Sequence, residues 1–223
     1  MTTDKIVGNY LTAIGGYENL QKVNSLVKNG NYIEPAYNLV LDAQQLRMRP
    51  NYRKVGNLER VDFEEGFDGT AWEYHRDKGL IISEGEAKEA IVVASDFDFP
   101  FIDAEKKGYQ IKLIGTKEIG GLQAYDISVT MPFENTEYVT NFYFDTNSHL
   151  MIAQRKVMPI HAKGEDVDFI VLYSDYKAVN GVLYPFTQIE RNEKTGQFLN
   201  ATIWSEMIPN TNLTLQNFNP PSP

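Results

Sequence analysis

The chain has 223 residues, 42% hydrophobic and 23% charged, with 13 Tyr, 12 Phe and no Cys. This is the balance of a globular protein with enough chain for one sizeable core or two small ones. A net charge of −9 argues against nucleic acid, whose binders carry a basic stripe, and against headgroup binding driven by bulk charge. The lack of Cys excludes disulfides, a thiolate nucleophile and Cys-ligated metal. No run approaches the ~18 apolar residues of a membrane-spanning helix, and the opening Met1-Thr2-Thr3-Asp4 has neither a basic nor an apolar signal region.

Asp4 to Ile14 predicts a short amphipathic helix. Ile6, Val7, Tyr10, Leu11 and Ile14 fall on one stripe, Thr2 or Thr3 caps the start, and Gly15-Gly16 stops it. Tyr17 to Val23 predicts a further turn or two. Strands follow at Ser25–Ile33, Tyr37–Met48, Tyr52–Val55, Leu58–Phe67 and Thr70–His75, with Val61, Phe63 and Phe67 in step. Asp68-Gly69 makes a favoured hairpin turn. Pro50 rules out an unbroken central strand through that point.

The strand pattern then breaks. Ser83 with Glu86 three residues on reads as a capping box, and Ala87, Ala90, Ile91 and Ala94 recur at helical spacing through Ser95. Pro100 to Lys107 predicts a second short helix ending at Gly108. Residues 83–108 are therefore expected to be a helical insertion packed on a sheet.

Strands resume at Tyr109–Ile114 and Ala124–Met131. Glu137 to Val157 is the strongest signal in the chain. Tyr138, Phe142 and Phe144 alternate with Val139, Asn141 and Tyr143 before the turn Asp145-Thr146-Asn147-Ser148. Asp166–Tyr176, Val182–Glu190 and Gln197–Ile208 complete the series, with a polar, Pro-containing tail from Pro209. About eleven strands joined by hairpins predict an antiparallel sheet, and that many should curl into an unclosed antiparallel β-barrel with an N-terminal helix and a helical lid. No Gly-, Ser- or Pro-rich linker divides the chain, so a single domain over residues 1–223 is expected.

Signals for chemistry are sparse. His75, His149 and His161 lie outside metal-ligand spacing of one another. Asp96/Asp98 lacks the Gly and distal Glu of a calcium loop. Asp166 and Asp168 share a strand face and read as a solvated edge, as do Arg47, Arg49, Arg53 and Lys54, the densest basic cluster. There is no Gly-x-Ser-x-Gly elbow, and Gly115–Gly121 is not a phosphate loop. No cofactor, metal or catalytic group is called for. What is abundant is aromatic surface. Trp72, Tyr74, Phe142 and Phe144 on strands, and Phe97 and Phe101 on the insertion, are the expected lining of an apolar ligand cavity.

Several stretches resemble one known family. Arg49-Pro50-Asn51-Tyr52, followed by Phe67-Asp68-Gly69-Thr70-Ala71-Trp72-Glu73-Tyr74, resembles the Arg-Pro-Asn and Asp-Gly-Lys-Thr-x-Trp signatures of the LolA/LolB-like periplasmic lipoprotein carriers. Tyr143–Asn147, Ser174–Pro185 and Tyr10–Gly16 are similar to segments of the lipoprotein-sorting-like subgroup. The second signature lacks its lysine and is one residue shorter here. The resemblance implies a half-barrel with a helical lid, an apolar cavity and a periplasmic location after signal removal. It also implies a lid held by the arginine at position 49 through backbone carbonyls. The function it implies is a carrier, not an enzyme, sheltering a lipid acyl chain or the lipid group of a lipoprotein. Its partners would then be lipids, lipoproteins and membrane-bound donor or acceptor proteins. A protein-interaction module with a filled core, or an enzyme with an unrecognised site, are the alternatives.

Overall fold

A computed structural model describes residues 1–57, 63–133, 136–160 and 165–221, with the side chains of 157–160 and 165–167 left aside. Val61 and His161 lie outside these residues. Two helices, α1 (Thr3–Ala13) and α2 (Tyr17–Gln21), open the chain. Six strands follow: β1 (Ser25–Glu34), β2 (Leu39–Met48), β3 (Tyr52–Asn57), β4 (Phe63–Phe67), β5 (Ala71–His75) and β6 (Gly79–Ile82). After α3 (Gly85–Ser95) come β7 (Gln110–Ile119), β8 (Leu122–Pro132), β9 (Glu137–Asp145) and β10 (Met151–Ile160), then β11 (Glu165–Val179), β12 (Val182–Asn192) and β13 (Phe198–Pro209). The protein is mainly β, antiparallel and unclosed, as expected, with thirteen strands among the described residues rather than about eleven. The short β6 is the strand that the sequence pattern did not show.

The chain divides into two compact units. The first comprises Met1–Gln21 and Pro100–Leu199. Its strands run β12-β11-β10-β9-β8-β7, each antiparallel to the next. Asp145 sets the β9–β10 turn by accepting from the Ser148 amide at 2.7 Å and the Ser148 hydroxyl at 2.6 Å. Burial opposes ionisation there, yet these donors hold the carboxyl below its usual range. Thr2 caps α1 by accepting from the Lys5 amide at 3.3 Å. The helix ends against the β11–β12 turn, where a Cβ on Gly15 would stand 2.0 Å from the Gly181 carbonyl oxygen. Only glycine permits that approach, and Gly15 also takes a positive φ of 109°.

The second unit comprises Lys22–Phe99 and Asn200–Pro223. Its strands run β6-β5-β4-β3-β2-β1-β13, again antiparallel. Register decides the two faces of this sheet. Lys28, Gln45, Val55, Glu65 and Glu73 are successive cross-strand partners and share one face, which Arg47 and Arg53 also occupy. Lys54, Gly66 and Trp72 are partners on the opposite face. There the turn Leu215–Phe218 packs, with Phe218 wholly buried and its ring 5.7 Å from that of Tyr52. The tail is therefore docked through Phe218.

The insertion departs from expectation in two ways. The cap of α3 is Glu84, which makes no side-chain bond to the helix, while Ser83 donates instead to Glu73 at 3.2 Å. Residues 100–108 form successive turns rather than a second helix. Phe99 and Asp103 adopt φ of 63° and 53°, and left-handed residues cannot continue a right-handed helix. The boundary between the units falls here too, since α3 through Phe99 belongs to the second unit and the turns belong to the first.

Candidate functional site

In the second unit, two arginines, Arg47 near the end of β2 and Arg49 just past it, grip the segment that follows α3. The Arg47 guanidinium donates to the carbonyls of Ala94 at 3.4 Å and Asp96 at 2.5 Å. Arg49 donates its Nε–H to the Val23 carbonyl at 2.7 Å and pairs through Nη1 with the Asp98 carboxylate. Phe97 lies beneath both, its ring centre 4.5 Å from the Arg49 guanidinium carbon and 5.4 Å from that of Arg47. The Phe97 amide in turn donates to the Pro50 carbonyl at 3.3 Å. Carbonyl contacts of the kind expected of Arg49 are thus made by Arg47, and a carboxylate and an aromatic face engage Arg49.

The basic cluster is therefore not a solvated strand face. The side chains of Arg49 and Arg53 are only 18% and 12% exposed, and Arg53 pairs with Glu65 at 2.5 Å. The alternation rule alone could not show this. It places Arg47, Arg49 and Arg53 on one face but does not say that chain 94–98 returns to cover it.

The expected lining residues fall into three groups. In the first unit Phe101, Phe142 and Phe144 come together around Tyr10, a residue of the α1 stripe. Phe101 meets Tyr10, Phe142 and Phe144 edge-on at 5.4, 4.8 and 5.2 Å between ring centres. Phe142 and Phe144 are 0% and 1% exposed and share one face of β9. This is close packing of rings on rings. In the second unit Phe97 sits in the arginine grip. Trp72 and Tyr74, two apart on β5, take the opposite face, where Trp72 is buried and the Lys54 ammonium stands 5.7 Å from its ring centre. On that face a polar pocket of about 310 Å³ is lined by Gln44, Lys54, Asn57, Glu64, Gln216 and Asn217, among others.

One member of each acidic pair is occupied. Asp98 is held by Arg49, and Asp168 accepts from Arg155 at 2.9 Å. His75 contacts Glu73 at 3.3 Å, and His149 fills a left-handed position in the β9–β10 turn. No group of three His, Asp or Glu with metal-binding geometry occurs among the described residues.

No family model and no curated protein matches the sequence. Solved structures do match, over nearly the whole chain. A LolA superfamily protein from Nitrosomonas europaea aligns with a TM-score of 0.62 at 13% identity, covering 99% of this chain and 98% of its own. A DUF1329 family protein from Desulfovibrio piger aligns at 0.64 and 11% identity, covering 98% and 97%. A domain described as an outer membrane lipoprotein-sorting protein, from Vibrio parahaemolyticus, aligns at 0.60 and 12% identity, covering 96% and 95%. The chain has the fold of the LolA-like proteins.

Proposed function

We propose that the protein is a periplasmic carrier, a binding protein rather than an enzyme, that shelters a lipid acyl chain or the lipid group of a lipoprotein. The observation that carries this is the likeness, end to end, to a LolA superfamily protein and to a lipoprotein-sorting domain. The apolar side chains that would meet such a ligand, once their packing opens, are Phe101, Phe142 and Phe144 in the first unit. In the second they are Trp72 and Tyr74 on one face and Phe97 on the other, each set on its own. Sheltering one methylene contributes about 0.8 kcal/mol, so a chain of a dozen carbons has ample driving force. Arg49 is the tether of the α3 segment, and release of Asp98 and Phe97 would free it. Lipids, lipoproteins and membrane-bound donor or acceptor proteins are the partners in this reading.

Titration of delipidated protein with a fluorescent fatty acid tests the reading. Saturable binding at micromolar ligand supports it, and a flat titration overturns it. The dense packing of Tyr10, Phe101, Phe142 and Phe144 favours a second reading, an interaction module with a filled core. Native mass spectrometry separates the two, since bound lipid after gentle purification belongs only to the carrier.

A further inference from the structure

Lys28 is the anomaly of the second unit. It lies in the middle of β1 and is 6% exposed. Its ammonium stands 5.5 Å from the ring centre of Trp204. Among the described residues no hydrogen bond or ion pair engages it. Its neighbours on the same face are Gln45 on β2 and Met207 on β13, with Arg47 and Arg53 beyond. Arg53 is already matched by Glu65 and Arg47 already donates to two carbonyls. The Trp204 ring is 3% exposed, and its indole Nε1–H is buried without an acceptor among the described residues.

The backbone is shaped to bring this lysine and this indole together. The β1–β13 register shifts between Asn29 and Gly30, so that Gly30 faces Trp204. A Cβ at Gly30 would lie 2.2 Å from the Ile203 carbonyl oxygen and 2.7 Å from the Trp204 Cα. The bulge and the glycine together seat the indole beneath the lysine.

A buried indole donor with no acceptor, beside a lysine that no hydrogen bond or ion pair engages among the described residues, in a field of further cations, defines what is missing: an anionic oxygen group. We propose that Lys28 Nζ and Trp204 Nε1 bind the head of the carried lipid, and that this head is a carboxylate, as in a free fatty acid. The inference deepens the carrier reading and rests on it. The site is distinct in kind from the apolar surfaces above, which recognise only the tail. Burial, followed by the charges of Arg47 and Arg53, lowers the lysine pKa to about 7. An arriving carboxylate restores the proton, so binding takes up H⁺ near neutral pH.

Calorimetric titration of full-length, delipidated protein with dodecanoate and with dodecanol, below their aggregation limits, tests the assignment. Dodecanoate should bind at least tenfold more tightly. Lys28→Met should remove that preference by weakening dodecanoate far more than dodecanol, and Lys28→Arg should restore most of it. Proton uptake, read as a dependence of the binding heat on buffer ionisation enthalpy, should accompany dodecanoate only. Equal affinity of the wild type for both ligands, or a preference surviving in Lys28→Met, overturns the head-group site and leaves the carrier standing. Binding of neither overturns both. Thermal melts of each variant establish that it is folded.

Discussion

Arg49 stacks its guanidinium 4.5 Å from the ring centre of Phe97 while its Nη1 holds the carboxylate of Asp98, the next residue. Two consecutive side chains of the segment after α3 are thus bound by one arginine, the first through its face and the second through its charge. This gives the segment an anchor that salt weakens but does not abolish, because the aromatic contact is largely insensitive to screening.

Replacing Arg49 by Leu should therefore loosen residues 94–98 locally. The loss is about 1.5–3 kcal/mol, the range for hydrogen bonds to a charged donor. Hydrogen–deuterium exchange should quicken there and through the last turn of α3, while the β9–β10 hairpin keeps its protection. Unchanged exchange at 94–98 would remove Arg49 from the role of tether.

Phe101→Ala should cost far more. Its ring is 2% exposed and meets three others, so truncation leaves a cavity that the neighbouring rings cannot refill. Urea denaturation should show a loss of about 3–5 kcal/mol. A loss below about 1 kcal/mol would mean that the rings repack and that the cluster is plastic enough to open for a ligand.

Lys28 should make the protein less stable at pH 7 than at pH 9. Its pKa is about 7 in the fold against the ordinary 10.5, so between those values the unfolded chain binds the extra proton. Stability then rises with pH through this window, by about 2 kcal/mol from pH 7 to 9. The penalty is fully present below about pH 7. Lys28→Met should flatten this limb and raise the melting temperature at pH 7. Wild type and variant with parallel pH profiles would show that Lys28 carries no such strain.

Chelation should change nothing. With no Cys in the chain and no cluster of metal ligands among the described residues, EDTA is expected to leave the melting temperature unaltered. A drop of several degrees would reveal a metal site.

The sequence displays its hairpins because alternation and turn chemistry are local. Asp68-Gly69 and Asp145–Ser148 mark their turns wherever the strands end up. It conceals β6, since Gly79-Leu80-Ile81-Ile82 is four residues long and does not alternate. It suggests a helix over 100–107, with Pro at the start and Gly at the end, because backbone angles such as those of Phe99 and Asp103 leave no mark in composition. Lys28 was illegible for a different reason. A lysine within a strand reads as outward-facing until the return of β13 and the approach of Trp204 are known, and those depend on contacts more than 170 residues away in the chain. Of the expected lining residues, Phe101, Phe142 and Phe144 do meet, since two of them alternate on one strand. Trp72 and Phe97 occupy opposite faces of their sheet, which no periodicity within either segment could reveal.

The unclosed sheet leaves two margins, and they are guarded unequally. On β7 the backbone is kinked by the irregularity between Leu113 and Gly115, and Lys112, Lys117 and Glu118 punctuate the strand. On β6 the residues are Leu80, Ile81 and Ile82, exposed by 45%, 38% and 54%, with β5 as the only strand hydrogen-bonded to them among the described residues. An open backbone rim with an oily flank is a template for strand addition. Self-association should therefore begin at β6. Ile81→Lys should keep the protein monomeric at any concentration where sedimentation finds the wild type associating, and wild type and variant that sediment alike would clear β6, giving a practical handle on colloidal behaviour that leaves every buried group untouched.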